Sequence, residues 1–251
     1  MESDNAVLTK SQQKRLAKRE RIRVKYAQAK SPSDVKKVRV DEAPVWGQRQ
    51  ERNAMMRCDF ESDCDRGPIV VIDCGWADGM MTDKEILSLT QQIMYSYSVN
   101  RRAKHPVRLC VYGASEKQKE LLQKLPGFDT WYMGLKSGAI ADDVAIIDRG
   151  IYLTADTETI LDIEPRRKED ILVIGGIVDR NRYKNATILR AEEIGMRAAQ
   201  LPIGDSMKMK SSKVLAVNHV FQILTEYMHS MDWQTALDAV IPDRKKIVED
   251  T

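Results

Sequence analysis

Short apolar runs alternate with stretches of helical periodicity from residue 68 onward. Ile69–Ile72 and Ile171–Ile174 are continuous apolar runs bounded by Pro or Gly, a pattern typical of buried parallel strands. The apolar segments Val107–Val111 and Ala198–Ile203 predict two more strands. Two further apolar runs lie around Val144–Ile147 and Ile151–Leu153.

Helical signals separate these runs. Thr82 to Glu85 form a capping box, which predicts the start of a helix with an apolar stripe. A long helix is predicted to begin near Ser211 and Ser212, because apolar residues from Val214 to Met228 recur at helical spacing. Shorter helices are predicted over Ser115–Leu125, Thr187–Gly195 and Trp233–Val240. Strands that alternate with helices indicate an α/β domain with a largely parallel sheet over residues 68–245.

The first 67 residues lack this alternation. Residues 10–30 are rich in helix formers and poor in large apolar groups, which predicts a solvated helix or a disordered arm that orders on a polyanion. Residues 31–67 contain scattered Pro and Gly with mixed charge, and we interpret them as a linker. The predicted organisation is an arm and linker (1–67), the α/β domain (68–245) and a tail (246–251).

The positive charge of the chain is concentrated in this arm. The 251 residues carry a formal net charge of +3, but residues 10–39 hold twelve Lys or Arg against Glu20 and Asp34. The remainder of the chain is mildly acidic. Such an arm is suited to neutralising phosphates, which would make nucleic-acid binding steeply dependent on salt. A solvated or nuclear-targeting tail explains the charge equally well.

Composition excludes several classes of protein. No apolar run approaches the roughly 20 residues that a membrane span needs, so we expect a soluble protein with no membrane association. The N-terminus resembles neither a secretory signal nor a transit peptide, which favours the nucleus, the cytoplasm or both. The four cysteines form no C-x-x-C pair, and we predict no metal site.

One segment, IGGIVDRNRYKN (174–185), carries candidate chemistry. A strand that ends in two glycines lets the backbone approach a ligand closely, and ligands of open α/β sheets lie beyond the carboxyl ends of strands. Asp179 follows within a basic loop that contains Arg180, Asn181, Arg182 and Lys184. This carboxylate is interpreted either as an intramolecular ion-pair partner or as a base or substrate anchor among phosphate-binding cations.

The separated blocks of this sequence resemble the tRNA (guanine-9-N1)-methyltransferase family of the SPOUT superfamily. The resemblance covers about residues 68–245 in consistent order. It is carried by IDCGWADGMM (72–81), SLTQQIMYSYSVNRRA (88–103), YLTAD (152–156), GGIVDRNR (175–182), LPIGD (201–205) and SSKVLAVNHVFQIL (211–224).

The resemblance implies a C-terminal trefoil knot that binds S-adenosylmethionine. The cofactor contacts that it implies are Leu153, Thr154, Gly175, Asp179, Arg180, Asn181, Arg182, Tyr183, Thr187, Leu201, Lys213, Val214 and Leu215. The three leucines among them could equally be ordinary core residues, and both interpretations can hold together.

The resemblance also implies a substrate, tRNA, and a reaction at N1 of the purine at position 9. Guanine N1 carries a proton, so Asp179 is the candidate general base, or else it orients the base while water takes the proton. Gln92, Arg101 and Arg102 match family positions that face the active site or tRNA, although a solvated helix face would explain the arginines. Further tRNA contacts are expected from Arg180, Lys184, Lys14, Arg15, Lys18 and Arg19.

Two alternatives to guanine methylation stay open at this point. The target could be adenine or both purines at position 9, since adenine N1 has no proton to remove. The chain could instead be a non-catalytic tRNA-binding scaffold, although that role has no need of the intact GGIVDRNR block. Members of the resembled family are thought to act as monomers, and we expect the same here.

Overall fold

The computed structural model describes residues 46–76, 79–164, 167–180, 182–206 and 214–242. The chain divides into two compact units, Met1–Asn53 and Ala54–Thr251. The helices are α1 Trp46–Arg66, α2 Asp83–Asn100, α3 Glu116–Gln123, α4 Val144–Arg149, α5 Ala186–Glu193, α6 Ile203–Ser206, α7 Val217–Ser230 and α8 Trp233–Val240. The strands are β1 Ile69–Asp73, β2 Arg108–Tyr112, β3 Gly134–Lys136, β4 Gly150–Leu153, β5 Ile171–Gly175 and β6 Arg197–Ala199.

The six described strands form one sheet in the order β3-β2-β1-β5-β4-β6, and every pairing is parallel. Asp73 at the end of β1 pairs with Tyr112 and Gly175, so the carboxyl ends of the central strands meet at one edge. The strand order reverses direction between β1 and β5. Ligands of open α/β sheets bind outside the carboxyl edge at such a point.

Helices cover both faces of the sheet. Val70 and Ile72 of β1 belong to a buried cluster that includes Ile93 of α2 and Phe221 of α7. Val71, which points to the opposite face, belongs to a second cluster with residues of α5. Because the central strands are buried on both faces, their sequences are continuous apolar runs, and this is why the pattern located them.

Several predicted elements are confirmed. β1, β2 and β5 lie within a residue or two of their predicted bounds, and α8 covers Trp233–Val240 as predicted. The capping box is present, with Thr82 N donating to Glu85 Oε2 at 2.8 Å.

Two predicted boundaries are wrong. The predicted strand Ala198–Ile203 ends at Ala199, and α6 begins at Ile203. The long helix starts at Val217, not near residue 211, because Ala216 is extended and caps the helix. Val214 lies three residues before Val217 and therefore fits the helical spacing without being helical. Residues 207–213 lie outside the described part of the chain.

The interpretation of residues 31–67 as a linker is wrong for α1. This helix is mostly polar and has no continuous apolar stripe, so periodicity gave no signal of it. It packs on the domain through Phe60 and Cys64, which are four residues apart and 7% and 1% exposed. The guanidinium of Arg101 lies 4.4 Å from the centre of the Phe60 ring, and Tyr132 donates a hydrogen bond to Asp65.

No helix among the described residues is long and apolar enough to cross a membrane. The trefoil knot and the behaviour of residues 1–45 stay predictions.

Candidate active site

A cavity, partly open to solvent, lies at the carboxyl edge of the sheet. Its walls come from the ends of β4 and β5, the loop after β5, the start of α5, the segment between β6 and α6, and the start of α7. The lining residues are Leu153, Thr154, Ala155, Asp156, Ile174, Gly175, Ile177, Asp179, Tyr183, Ala186, Thr187, Gln200, Leu201, Ile203, Val214, Leu215, Val217 and Val220.

The deep part of the cavity is apolar, and its mouth is accessible. Leu153, Leu201 and Val217 are at most 7% exposed and belong to the main core cluster. Tyr183 and Val214 at the mouth are 40% and 46% exposed. Leu153 and Leu201 are therefore core residues and cavity-wall residues at the same time, so the two interpretations of these leucines hold together. An apolar cleft with a few polar groups is the usual form of a small-molecule site.

A pair of hydroxyl groups lies in one wall. Thr154 Oγ1 and Thr187 Oγ1 are 2.7 Å apart and share a hydrogen bond, and Asp156 N donates to Thr154 Oγ1 at 3.2 Å. A Cβ atom at Gly175 would lie 2.8 Å from Thr187 Cγ2. Gly175 is thus required by the close packing of the cavity wall itself, which refines the interpretation that it makes room for a ligand.

The second glycine of the motif serves the sheet and not the cavity. Gly176 N donates to the carbonyl oxygen of Asp73 at 2.7 Å, and a Cβ at Gly176 would meet that oxygen at 2.8 Å. The glycine therefore lets the loop after β5 leave the sheet in contact with the end of β1.

A buried polar network lies beside this wall, and the sequence gave no indication of it. The fully buried Asp73 accepts hydrogen bonds from Gly75 N at 3.0 Å, Tyr152 Oη at 3.1 Å and Arg190 Nε at 3.3 Å. Burial, with the charge of Asp73 next to it, raises the pKa of Tyr152, which therefore stays protonated as a donor. Arg190 also pairs with Glu193 at 3.0 Å. A buried charge of this kind is tolerated when it is paired and hydrogen-bonded.

The loop after β5 presents Asp179 at the cavity. Asp179 Oδ2 accepts a hydrogen bond from Tyr183 N at 2.8 Å, and its carbonyl oxygen accepts one from Arg182 N at 3.2 Å. Arg180 within this turn has φ of +53°, and Asn185 at the start of α5 has φ of +58°. Non-glycine residues with left-handed backbone are uncommon and cluster at functional sites.

Nine of the thirteen predicted cofactor contacts line the cavity, and two of the others lie elsewhere. Arg182 turns away from it, since its Nη2 pairs with Glu85 Oε2 at 2.9 Å and donates to the Met80 carbonyl at 3.1 Å. Arg180 is exposed and is not part of the lining, so the structure does not bring these two arginines to the cavity. The remaining two, Asn181 and Lys213, lie outside the described residues.

Gln92 lies next to the cavity and contacts the start of α7, which forms part of its wall. Its Oε1 accepts a hydrogen bond from Val217 N at 2.9 Å, and its Nε2 donates to Ser88 Oγ at 3.3 Å. The first N–H groups of a helix have no partner within the helix, so Gln92 satisfies one of them at the start of α7. This contact places Gln92 next to the cavity without making it part of the lining.

Arg101 and Arg102 do not face the cavity. They follow α2 at the amino edge of the sheet, where Asn100 binds Val107 N and O just before β2. The sequence analysis expected them to face either the active site or tRNA. They do not line the cavity, because α2 runs antiparallel to the strands and its two ends lie at opposite edges. Contact of this exposed pair, and of the exposed Lys184, with tRNA stays a prediction. Lys14, Arg15, Lys18 and Arg19 lie outside the described residues.

The sequence missed several lining residues, among them Asp156, Ile177 and Gln200. Asp156 and Ile177 lie within the quoted motifs. The motifs therefore indicated these parts of the cavity wall, although the two residues were not predicted individually. Within the described part of the chain, no group of three His, Cys, Asp or Glu side chains could hold a metal ion.

Comparison with known proteins relates the chain to one family. A model of the tRNA (guanine(9)-N(1))-methyltransferase TRM10/TRM10A family matches residues 6–246. The tRNA (guanine(9)-N1)-methyltransferase of Candida glabrata is 37% identical over 182 residues, which are 70% of this chain and 62% of that protein. tRNA methyltransferase 10 homolog A of Homo sapiens is 40% identical over 182 residues, 71% and 52% of the two chains. The chain thus spans only about half to three fifths of the length of these curated relatives.

Solved structures give the same relationship. Full-length spTrm10 in complex with SAH is 34% identical and has a TM-score of 0.62, with 71% of this chain and 95% of that chain covered. The dual specific Trm10 from Thermococcus kodakaraensis has a TM-score of 0.53 at 19% identity over 69% of this chain and 99% of its own, which is a likeness of fold alone. The predicted fold class, a SPOUT-type α/β domain with a largely parallel sheet, is confirmed.

Proposed function

Because this chain belongs to the tRNA (guanine(9)-N(1))-methyltransferase family, we propose that it transfers a methyl group from S-adenosylmethionine to N1 of guanine at position 9 of tRNA. The observation that carries the proposal is the cavity at the carboxyl edge of the sheet. One small space combines an apolar wall, the Thr154–Thr187 hydroxyl pair and the carboxylate-bearing residue Asp179.

The chemistry of the lining fits S-adenosylmethionine. Leu153, Leu201 and Leu215 offer apolar surface to an adenine ring, and the carboxylates of Asp156 and Asp179 match a ligand with positive charge. When bound, S-adenosylmethionine supplies an electrophilic methyl group on a positively charged sulfur. The tyrosine and valine at the mouth leave the cavity open on the side from which a nucleobase would enter.

Asp179 is the residue proposed to act on the nucleobase. Guanine N1 must lose its proton as it gains the methyl group, and the Asp179 carboxylate at the cavity wall accepts that proton. Tyr183 N holds Oδ2 of this carboxylate, so its orientation is set before the substrate arrives. A positioned base of this kind contributes about 100- to 10,000-fold to the rate.

The proposed partner is tRNA, and we expect the basic arm at residues 10–39 to bind it. A base that is stacked within a folded RNA must be extruded before an enzyme can act on it, which costs a few kcal/mol and requires contacts elsewhere. The twelve Lys and Arg residues of the arm can supply those contacts to phosphates. Four of them, Lys14, Arg15, Lys18 and Arg19, lie within six consecutive positions.

We propose further that the enzyme acts as a monomer and without a metal ion. Nitrogen attack on a sulfonium methyl group needs no Lewis acid. Light scattering of the purified protein, alone and with tRNA, measures the oligomeric state.

Calorimetric titration with S-adenosylhomocysteine tests the cavity as the cofactor site. Val214→Arg places a bulky charge at the mouth, where Val214 is 46% exposed, and should weaken binding by more than about tenfold, or about 1.4 kcal/mol. Val144→Arg, at a residue that is 68% exposed on α4, is the matched control and should bind as the unmodified protein does. Equal affinity of both variants would place the cofactor elsewhere.

A further inference from the structure

The loop after β5 is fastened to the residues that precede and begin α2. Arg182 Nη2 lies 2.9 Å from Glu85 Oε2 and 3.1 Å from the Met80 carbonyl oxygen. The same loop makes a second contact, in which Val178 N donates to Met81 Sδ at 3.4 Å. These contacts lie on either side of the cavity carboxylate in sequence, so they fix the loop at both of its ends.

Glu85 has two roles at once in this arrangement. Its Oε2 accepts a hydrogen bond from Thr82 N at 2.8 Å, which belongs to the capping box, and another from Thr82 Oγ1 at 2.9 Å. The same oxygen also pairs with Arg182. The side chain of Glu85 is only 12% exposed. The hydrogen bond from the Thr82 backbone, followed by the Thr82 hydroxyl and Arg182, lowers the pKa of Glu85, so the carboxylate is ionised at neutral pH.

The turn that Arg182 closes is conformationally costly. Arg182 N donates to the Asp179 carbonyl, and Arg180 between them has φ of +53°. Left-handed backbone at a non-glycine residue is retained only when the surrounding structure holds it there. The contacts of the Arg182 guanidinium with α2 and the segment before it are such a support.

We propose that Glu85 is a positioning residue for methyl transfer, acting through Arg182 to hold Asp179 at the cavity wall. The proposal rests on the proposed function, since it assigns a role within that reaction. It also gives Arg182 a purpose other than the ligand contact predicted from the sequence. The first turn of α2 and the loop after β5 thereby form one unit.

Glu85→Gln is the informative variant, because glutamine also serves in a capping box and the substitution removes only the charge facing Arg182. We expect kcat for methyl transfer to fall by about 10- to 100-fold, the cost of a small misplacement of a reacting group. The affinity for S-adenosylhomocysteine should stay unchanged. Hydrogen exchange of the Tyr183 amide, which is bonded to Asp179, should become faster. Glu116→Gln, in the exposed first turn of α3, is the matched control and should alter none of these quantities.

A double-mutant cycle with Arg182→Gln completes the test. If the two residues act as a unit, Glu85→Gln with Arg182→Gln loses no more activity than either single variant. Additive losses, or unchanged kcat and unchanged Tyr183 exchange in Glu85→Gln, would overturn the proposal. Should the unmodified protein methylate no tRNA, the proposed function fails, while the exchange measurement still decides whether Glu85 holds the loop.

Discussion

Tyr152 Oη donates a hydrogen bond of 3.1 Å to Asp73 Oδ2, and this contact joins the carboxyl ends of β4 and β1 beside the cavity. Both residues are fully buried. Arg190 of α5 binds the same carboxylate oxygen at 3.3 Å. The network therefore ties two strands and a helix together where the walls of the site begin.

Tyr152→Phe should lower the free energy of unfolding by about 2 kcal/mol, since it removes a hydrogen bond to a buried charged group and leaves an acceptor less satisfied. Urea unfolding at neutral pH measures this difference. Tyr95→Phe, at a tyrosine that is 52% exposed on α2, should change the stability by less than about 0.5 kcal/mol. Equal effects of the two substitutions would mean that the buried contact does not stabilise the domain.

Asp179→Asn should lower kcat by about 100-fold or more, the contribution expected of a general base. Asparagine can still accept a hydrogen bond from Tyr183 N, so the loop and the affinity for S-adenosylhomocysteine should be retained. Single-turnover methyl transfer and calorimetry separate the two effects. Activity equal to that of the unmodified protein would remove Asp179 from the mechanism.

Asp232 should make the stability of α8 depend on pH. Its carboxylate caps the helix, accepting from Thr235 Oγ1 at 2.6 Å and Thr235 N at 2.8 Å, and these bonds lower its pKa. The stabilisation is complete above the unfolded value of about 3.9 and is lost as pH falls through the lower folded value. The stability deficit of Asp232→Ala, measured by urea unfolding, should therefore be full at pH 7 and shrink below about pH 4.

The exposed Asp148 offers a control for that measurement. The difference between Asp148→Ala and the unmodified protein should be small and should not follow the same pH course. A deficit of Asp232→Ala that stays constant down to the lowest pH at which the protein folds would contradict the capping role.

Removal of residues 1–45 should weaken tRNA binding and reduce its dependence on salt. The deletion ends before α1, because Phe60 and Cys64 pack that helix on the domain and a later start would damage it. For a duplex region, each phosphate that the protein no longer neutralises should lower the magnitude of the slope of log K against log salt by about 0.9. Affinity for S-adenosylhomocysteine is the internal control. An unchanged tRNA affinity and salt slope would show that the arm is dispensable.

Much of the domain could be predicted because its central strands are buried on both faces. Continuous apolar runs such as Ile171–Ile174 are typical of strands that are buried on both faces, so the order of apolar residues located the central strands. The capping box located the start of α2, because its hydrogen bond joins two residues only three positions apart, Thr82 and Glu85. What periodicity could not give was α1, whose contact with the domain rests on few residues.

The site was predicted less completely than the fold, because its geometry depends on contacts between distant parts of the chain. Asp179 was located by a short motif, and Thr187 by the resemblance to the family. The pairing of Arg182 with Glu85 joins residues 97 positions apart, and no local pattern reports it. Asp73 and Tyr152 are likewise 79 positions apart, and nothing in their local sequence indicates that they are in contact.

Methyl transfer from labelled S-adenosylmethionine to unmodified tRNA transcripts with guanine, adenine or uridine at position 9 tests the central claim most directly. We expect transfer to the guanine transcript and none to the uridine transcript. Transfer to adenine as well would broaden the substrate to both purines. Absence of transfer to every transcript, in the presence of demonstrated tRNA binding, would contradict the account and favour a tRNA-binding scaffold.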